Sequence, residues 1–241
     1  MKKMSALIPA RGGSKGVHKK NIKLLQGYPL IAYSIMACKM SEMIGRIIVS
    51  TDDKEIAELS LKFGAEVPFM RPPELATDKS TDKDVIEHYF DMTGEYEVAY
   101  IRPTTPLRNP EVIDENIRDY LHTKILKSTG VRSMHELPES PHKMFQLDER
   151  GYCCGFFDDF KGIKNYTNLP RQIFPRAYQP NGYLDIVKKS TLSGGDTFGD
   201  EILPIITDFV IEVDTPFQFD LLEYQLNSKG HLLLDEIKNE Y

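Results

Sequence analysis

The amino-acid sequence predicts an α/β protein built on a mostly parallel sheet flanked by helices, on three observations. Apolar runs of strand length alternate with segments of helical period, the rhythm of βαβ units. The conspicuous polar loops follow the carboxyl ends of the expected strands, the edge at which open α/β sheets hold ligands. At 241 residues, 41% hydrophobic and 27% charged, the chain can form one α/β core with a small excursion, and its composition excludes disordered and fibrous classes.

The elements follow in order. Ser5–Pro9 is the first strand, and the loop Ile8–Asn21, IPARGGSKGVHKKN, leads from its end. Pro29–Met40 reads as a helix with Leu30, Ile31, Ser34, Ile35 and Cys38 at core-facing spacing. Arg46–Thr51 is the next strand, and Asp52 with Glu55 resembles a capping box opening a helix that runs to Phe63 and stops at Gly64. AEVPFM (Ala65–Met70) is a short strand, Asp82–Met92 a helix after a proline-rich loop, and Val98–Arg102 a strand. Pro110 suits the first turn of another helix, and Ser128–Met134 is a further strand.

From Met134 to Pro180 the rhythm breaks. This segment is rich in aromatics, glycine and proline and lacks a long helical period, so an irregular or β-rich excursion is expected, its aromatics packing on a partner subunit. The α/β pattern resumes with strands at YLDIV and DFVIEV and ends in an amphipathic helix from Thr215.

The net charge of −6 argues against a general nucleic-acid binder, whose domain carries a basic footprint. No window approaches the ~18 consecutive apolar residues of a membrane span. The opening begins like a secretory leader, but Pro9 and Arg11 break its apolar run. Cys38, Cys153 and Cys154 offer neither a CxxC spacing nor an even framework of bridges, which suits reduced thiols and a cytoplasmic location. His18, His88, His122, His135, His142 and His231 show no metal spacing and read as structural.

The opening loop has neither the P-loop spacing nor that of a dinucleotide fold. Its glycines still let backbone N–H groups approach phosphate oxygens, and Arg11, Lys15 and Lys20 supply the charge to hold a triphosphate; a solvated basic turn is the alternative. Glu212 and Asp214, one residue apart at the end of FVIEV, fall on one face of a strand. Two such carboxylates either share a Mg²⁺ or are exposed acids on an edge strand.

IPARGGSKGVHKKNIK resembles the signature loop of the nonulosonate cytidylyltransferases, the CMP-sialic acid synthetases and their relatives, which join CTP to a 2-keto-3-deoxy sugar acid. RPPELATDKSTD (Arg71–Asp82) is similar to the family's nucleotide-binding segment and RPTTPLR (Arg102–Arg108) to its substrate loop. LPRQ and QPNG, within Leu169–Gly182, resemble a later substrate segment, and IEVDTPFQFD (Ile211–Asp220) the metal-binding strand end. The likeness covers nearly the whole chain. It implies a Rossmann-like sheet of the nucleotide-diphospho-sugar transferase type, one cytidylyltransferase domain over residues 1–241, with residues 134–180 inserted as a dimerisation segment of a homodimer.

The resemblance also implies roles. Ala10, Arg11, Gly13, Ser14, Lys15, Lys20 and Asn21 would cradle the triphosphate, with Lys20 favoured for the transferring phosphoryl group, while Arg71 and Ser80 would approach base and ribose. Arg102, Thr104, Thr105, Lys143, Arg171, Gln179 and Asn181 would meet the sugar acid. Lys20, Arg11 and Asp214 would carry catalysis, and Glu212 and Asp214 would hold Mg²⁺. Three positions depart from the family: Arg102 stands where glutamine is usual, Gln179 where arginine is usual, and Glu212 where aspartate is usual. Arginine offers a bidentate fork and glutamine a neutral donor and acceptor, so the expected acid is other than N-acetylneuraminate, such as a bacterial di-amino nonulosonate. The alternatives are a 3-deoxy-manno-octulosonate cytidylyltransferase and a catalytically silent nucleotide-binding protein on the same scaffold. Arg108 reads either as part of the substrate loop or as a helix-start salt bridge.

Overall fold

The structure, a computed structural model, describes residues 3–122 and 128–241; Met1 and Lys2 of the leader-like opening lie outside the described residues. The elements in chain order are β1 (Met4–Pro9), a hairpin of β2 (Leu24–Leu25) and β3 (Tyr28–Pro29), α1 (Leu30–Met40), β4 (Ile44–Ser50), α2 (Lys54–Lys62), α3 (Asp82–Thr93), β5 (Glu97–Tyr100) and α4 (Pro110–His122). After them come β6 (Gly130–Glu136), β7 (Phe145–Leu147), β8 (Cys153–Gly155), β9 (Tyr178–Pro180), β10 (Asp185–Lys188), α5 (Lys189–Ser193), β11 (Ile202–Ile206), α6 (Pro216–Lys229) and α7 (Leu232–Glu240).

The central sheet runs β11-β6-β10-β5-β1-β4. β1 pairs in parallel with β4 and β5, and β11 in parallel with β6, while β10 enters antiparallel between β5 and β6. Ala6, Leu7 and Ile8 are wholly buried because both faces of β1 are covered, which is why the strand reads as a continuous apolar run. One face carries α1, α6 and α7 over Ala6, Ile8, Val49 and Ala99; the other carries Ile86, Tyr89 and Phe90 of α3 over Leu7, Ile48 and Val98. Every residue from Leu30 to Cys38 is buried, so α1 is a core helix without a solvent face, packed on β4, α2, α4 and α7.

Several sequence expectations need correction. The N-cap of α2 is Asp53, whose carboxylate accepts from the Glu55 and Ile56 N–H groups at 2.8 and 3.1 Å; Asp52 is turned away to another partner. AEVPFM contributes only an isolated bridge, Ile48 to Glu66, since Pro68 has no N–H to extend a ladder. DFVIEV is not a strand of the sheet; β11 occupies the place beside β6. The terminal helix is two helices, broken at Gly230, whose φ of 64° is left-handed.

The segment after β6 leaves the sheet and returns as β9, which pairs antiparallel with the end of β6 through Met134–Pro180, His135–Gln179 and Glu136–Tyr178. Between them lies the β7–β8 hairpin and a knot of rings in which His142 stacks on Phe157 and Phe174, centroids 4.7 and 4.9 Å away. Phe145, Leu147, Tyr152 and Phe156 remain exposed there.

Arg108 is fully buried and makes no salt bridge among the described residues. Its Nε donates to the Tyr183 carbonyl at 2.7 Å, Nη1 to Ser34 Oγ at 2.9 Å and to the Thr105 carbonyl, and Nη2 to the Arg102 and Gly182 carbonyls at 2.6 and 2.8 Å. One fork thus fastens α1, the β5–α4 loop and the turn before β10 to one another. Burial pulls its pKa down to about 10, which still leaves it charged at neutral pH.

Replacing this side chain leaves buried carbonyls without donors. Arg108→Met is expected to lower unfolding free energy by roughly 3 kcal/mol or more. Arg108→Lys recovers little of that, because one ammonium cannot span the same acceptors. Urea titration of both variants checks this; a midpoint unchanged in Arg108→Met would contradict it.

Candidate functional site

At the carboxyl ends of β1 and β5 lies a cavity of about 380 Å³, walled by the loop after β1, the segment before α3, the loop after β5 and the backbone at Asp214. The loop after β1 is pinned from several sides. The Ala10 N–H donates to the Ser50 carbonyl at 2.9 Å, the Gly12 N–H to Asp52 Oδ1 at 2.9 Å, and buried Asn21 donates through Nδ2 to the Arg11 carbonyl at 2.9 Å. A Cβ on Gly16 would stand 2.1 Å from the Asp214 carbonyl oxygen, so only glycine permits this close backbone approach.

Lys20 crosses the same junction. Its Nζ donates to the Val213 carbonyl at 2.7 Å and pairs with Asp214 Oδ1 at 3.0 Å, and the Val213 N–H in turn donates to the Thr104 carbonyl at 2.7 Å. On the opposite wall, Asp78 takes Arg11 Nη2 at 3.0 Å on one oxygen and Lys15 Nζ at 2.7 Å on the other. Ser80 Oγ accepts from the Thr77 N–H at 3.0 Å and donates to the Glu74 carbonyl at 3.1 Å, closing the turn that presents Asp78. Arg71 is buried, with Nε donating to Ser50 Oγ at 3.1 Å and Nη2 to the Ser50 carbonyl. Burial lowers its pKa.

The floor holds a second charged group. Arg102 donates to wholly buried Asp185 at 2.6 Å and to Asp82 at 2.7 Å, and Tyr100 donates its hydroxyl to Asp82 at 2.7 Å. The two carboxylates respond differently. For Asp185 burial outweighs the arginine and pushes the carboxyl up; for Asp82, which faces solvent on one side, the Arg102 charge and hydrogen bond outweigh burial and hold it below the usual range. Glu212 accepts from Thr104 Oγ1 at 3.3 Å, and burial followed by the Asp214 charge raises its carboxyl.

Arg11, Ser14, Lys15, Lys20, Asn21, Arg71, Ser80, Arg102, Thr104 and Asp214 therefore line one cavity; Ala10 and Gly13 lie in the backbone of its loop, and Glu212 lies behind Thr104. The remaining expected substrate residues are not among those lining it. Thr105 and Asn181 are buried, the Thr105 hydroxyl donating to the Asn181 carbonyl at 2.7 Å and Asn181 Nδ2 to Thr207 Oγ1 at 2.8 Å. Lys143 donates to the Thr167 carbonyl at 2.6 Å, while Arg171 and Gln179 are exposed on the excursion. Asp78, Asp82 and Asp185 were not anticipated. An acid inside an anion site runs against expectation for Asp78, but Asp185, alone in the apolar strand YLDIV, is a legible sign of a buried partner such as Arg102.

A model of the cytidylyltransferase family matches residues 5–150. The chain is 32% identical over 234 residues to the CMP-N,N'-diacetyllegionaminic acid synthase of Legionella pneumophila, covering 90% of this chain and 94% of that protein. It is 32% identical over 241 residues to the N-acylneuraminate cytidylyltransferase of Escherichia coli, covering 98% of this chain but 55% of that protein, so it spans about half the length of that relative. Among solved structures, the CMP:2-keto-3-deoxy-manno-octonic acid synthetase complexed with CTP is similar with a TM-score of 0.68 at 15% identity, covering 94% of this chain and 99% of that one, a likeness of fold.

The depressed Asp82 carboxyl links stability to pH. Its contribution is fully present above pH ~4, the unfolded carboxylate range, and is lost as pH falls through its lower folded value. Asp82→Asn is therefore expected to lower the melting temperature at pH 7 and to flatten its decline below pH ~4. Thermal melts across that range check this, and parallel acid limbs in wild type and variant would contradict it.

Proposed function

This chain belongs to the cytidylyltransferase family, and from that premise we propose that it transfers CMP from CTP to the anomeric hydroxyl of a 2-keto-3-deoxy sugar acid of the nonulosonate class. The observation that carries the reading is the convergence of Arg11, Lys15 and Lys20 on one cavity at the carboxyl ends of β1 and β5. Arg71 and Ser80 line the same cavity and are the side chains proposed to meet the nucleoside.

In the reaction the hydroxyl oxygen of the acid bonds to the α-phosphorus while the bond from that phosphorus to the β-bridging oxygen breaks. Pyrophosphate leaves and the hydroxyl proton passes to water. The protein's share is positioning and charge neutralisation. Lys20, mostly buried and held by the Val213 carbonyl, faces the transferring group, and Arg11 and Lys15 face the departing phosphates. Glu212 and Asp214 fit Mg²⁺: they are hard oxygen donors whose mutual repulsion a cation relieves. Two carboxylates also suit an ion that keeps waters and takes its remaining ligands from phosphates. Bound there, the metal would supply charge neutralisation at the phosphates.

The acid is proposed to be a bacterial di-amino nonulosonate in preference to N-acetylneuraminate. Identity is 32% to both the legionaminic acid synthase and the N-acylneuraminate cytidylyltransferase; what supports the reading is that the match to the former extends over 94% of that protein, against 55% of the latter. Arg102 lends no support by the route expected from sequence, because both edges of its fork are given to Asp82 and Asp185. A single domain over residues 1–241 that pairs through the 134–180 excursion is also proposed, on the exposed Phe145, Leu147, Tyr152 and Phe156. A cytoplasmic location is supported by three unbridged cysteines, and no described helix is long and apolar enough to cross a membrane.

Two measurements test the reading. With CTP and Mg²⁺, pyrophosphate release should depend on a nonulosonate, and kcat/KM should be higher for N,N'-diacetyllegionaminate than for N-acetylneuraminate. The reverse order would remove the acid assignment, and CTP binding without release for any acid would favour the silent scaffold. Lys20→Ala is expected to lower kcat by about 10²–10³-fold. Full turnover in that variant would refute its role at the phosphoryl group.

A further inference from the structure

The cations assigned above to the triphosphate already have an acidic partner in the fold. Asp78 bridges two of them, with Oδ1 on Arg11 and Oδ2 on Lys15, and Arg11 Nη1 also donates to the Thr77 carbonyl at 2.5 Å. The carboxylate sits on a turn closed by its own hydrogen bonds: the Ser80 N–H donates to the Thr77 carbonyl at 3.2 Å, and the Thr77 and Ser80 hydroxyls lie 3.0 Å apart. Directly after the turn, the reciprocal Thr81–Asp84 cap starts α3. Asp78 is thus delivered across the cavity mouth by a small rigid unit anchored on a helix, with one acid oxygen per cation.

Resting on the triphosphate reading of Arg11 and Lys15, we propose that Asp78 is a specificity-determining residue for the transfer reaction: an internal anion that competes with the outer phosphates for these two cations. A carboxylate brings one negative charge to them, whereas the β- and γ-phosphates of CTP bring more charge and more acceptor oxygens. A triphosphate displaces Asp78, and a ligand without phosphates does not. Because Asp78 and Lys15 are largely exposed, the pairing is weak enough to be displaced at ordinary nucleotide concentrations. When pyrophosphate has formed, the same carboxylate is at hand to take back both cations, which favours release of that product.

Isothermal titration without acid substrate separates the possibilities. CTP, pyrophosphate and cytidine are titrated into the full chain as wild type, Asp78→Asn and Arg11→Met. Asp78→Asn should tighten CTP and pyrophosphate about three- to tenfold and leave cytidine unchanged, the span expected for exposed pairs. Asp78→Ala, an independent removal of the charge at an exposed position, should shift both ligands in the same direction. CTP affinity unchanged or weaker in the Asp78 variants, or cytidine tightened equally, would overturn the competition. If Arg11→Met left CTP affinity intact, the triphosphate assignment itself would fail, an outcome distinct from failure of the Asp78 role alone.

Discussion

The crevice depends on one close contact: the loop after β1 lies against the backbone at Asp214, with Gly16 so near the Asp214 carbonyl that no side chain fits between them. Lys20 fastens the same junction by holding the Val213 carbonyl and the Asp214 carboxylate. Residues almost two hundred positions apart in sequence thereby form one wall, and Thr104, hydrogen-bonded to Val213, ties in the loop after β5. Without this closure the glycine loop would be a solvated basic turn. With it, the loop's cations face inward at the strand ends, where the parallel part of the sheet places its ligand site.

Charge is the second constraint, and it is met in two ways. Deep in the structure, Arg108 is satisfied by carbonyls and a hydroxyl, and so serves as a rigid joint among three segments. Nearer the cavity, Arg102 is held by Asp185 from below and Asp82 from the side, which makes the cavity floor a set of fixed dipoles and paired charges. Such a preorganised surface is what phosphoryl transfer requires, since the protein contributes little covalent chemistry and must already be oriented when charge moves. The outer cations differ. Arg11 and Lys15 have a partner on a surface turn, where exchange with solvent or ligand is cheap.

Most of the architecture was legible in the sequence because hydrophobic period and turn residues act locally. The strands around Ala6, Ile48 and Ala99, the helices α1, α2, α3 and α4, and the grouping of Arg11, Lys15, Lys20, Arg71 and Asp214 around one crevice follow from those signals and from collinear motifs. What escaped was decided by partners distant in sequence. DFVIEV has the composition of a strand, yet β11 occupies the place beside β6. The antiparallel entry of β10 leaves no mark on YLDIV beyond the solitary Asp185. Arg108 reads in sequence as part of the substrate loop or as a helix-start salt bridge until the fold buries it, and Arg102 looks free to read a substrate until Asp82 and Asp185 take its fork. For both arginines the sequence neighbours suggest a role that burial and pairing, which are tertiary properties, then override.

The central claim is that the sugar acid's own anomeric oxygen attacks the α-phosphorus of CTP in this crevice. Isotope tracing tests it most directly: an acid carrying ¹⁸O at the anomeric hydroxyl is incubated with CTP, Mg²⁺ and the full chain, and the products are analysed by mass spectrometry. The account predicts one ¹⁸O in the oxygen bridging CMP and the acid, with unlabelled pyrophosphate. Pyrophosphate released together with free CMP and no labelled conjugate, or CTP bound with no products, would contradict it.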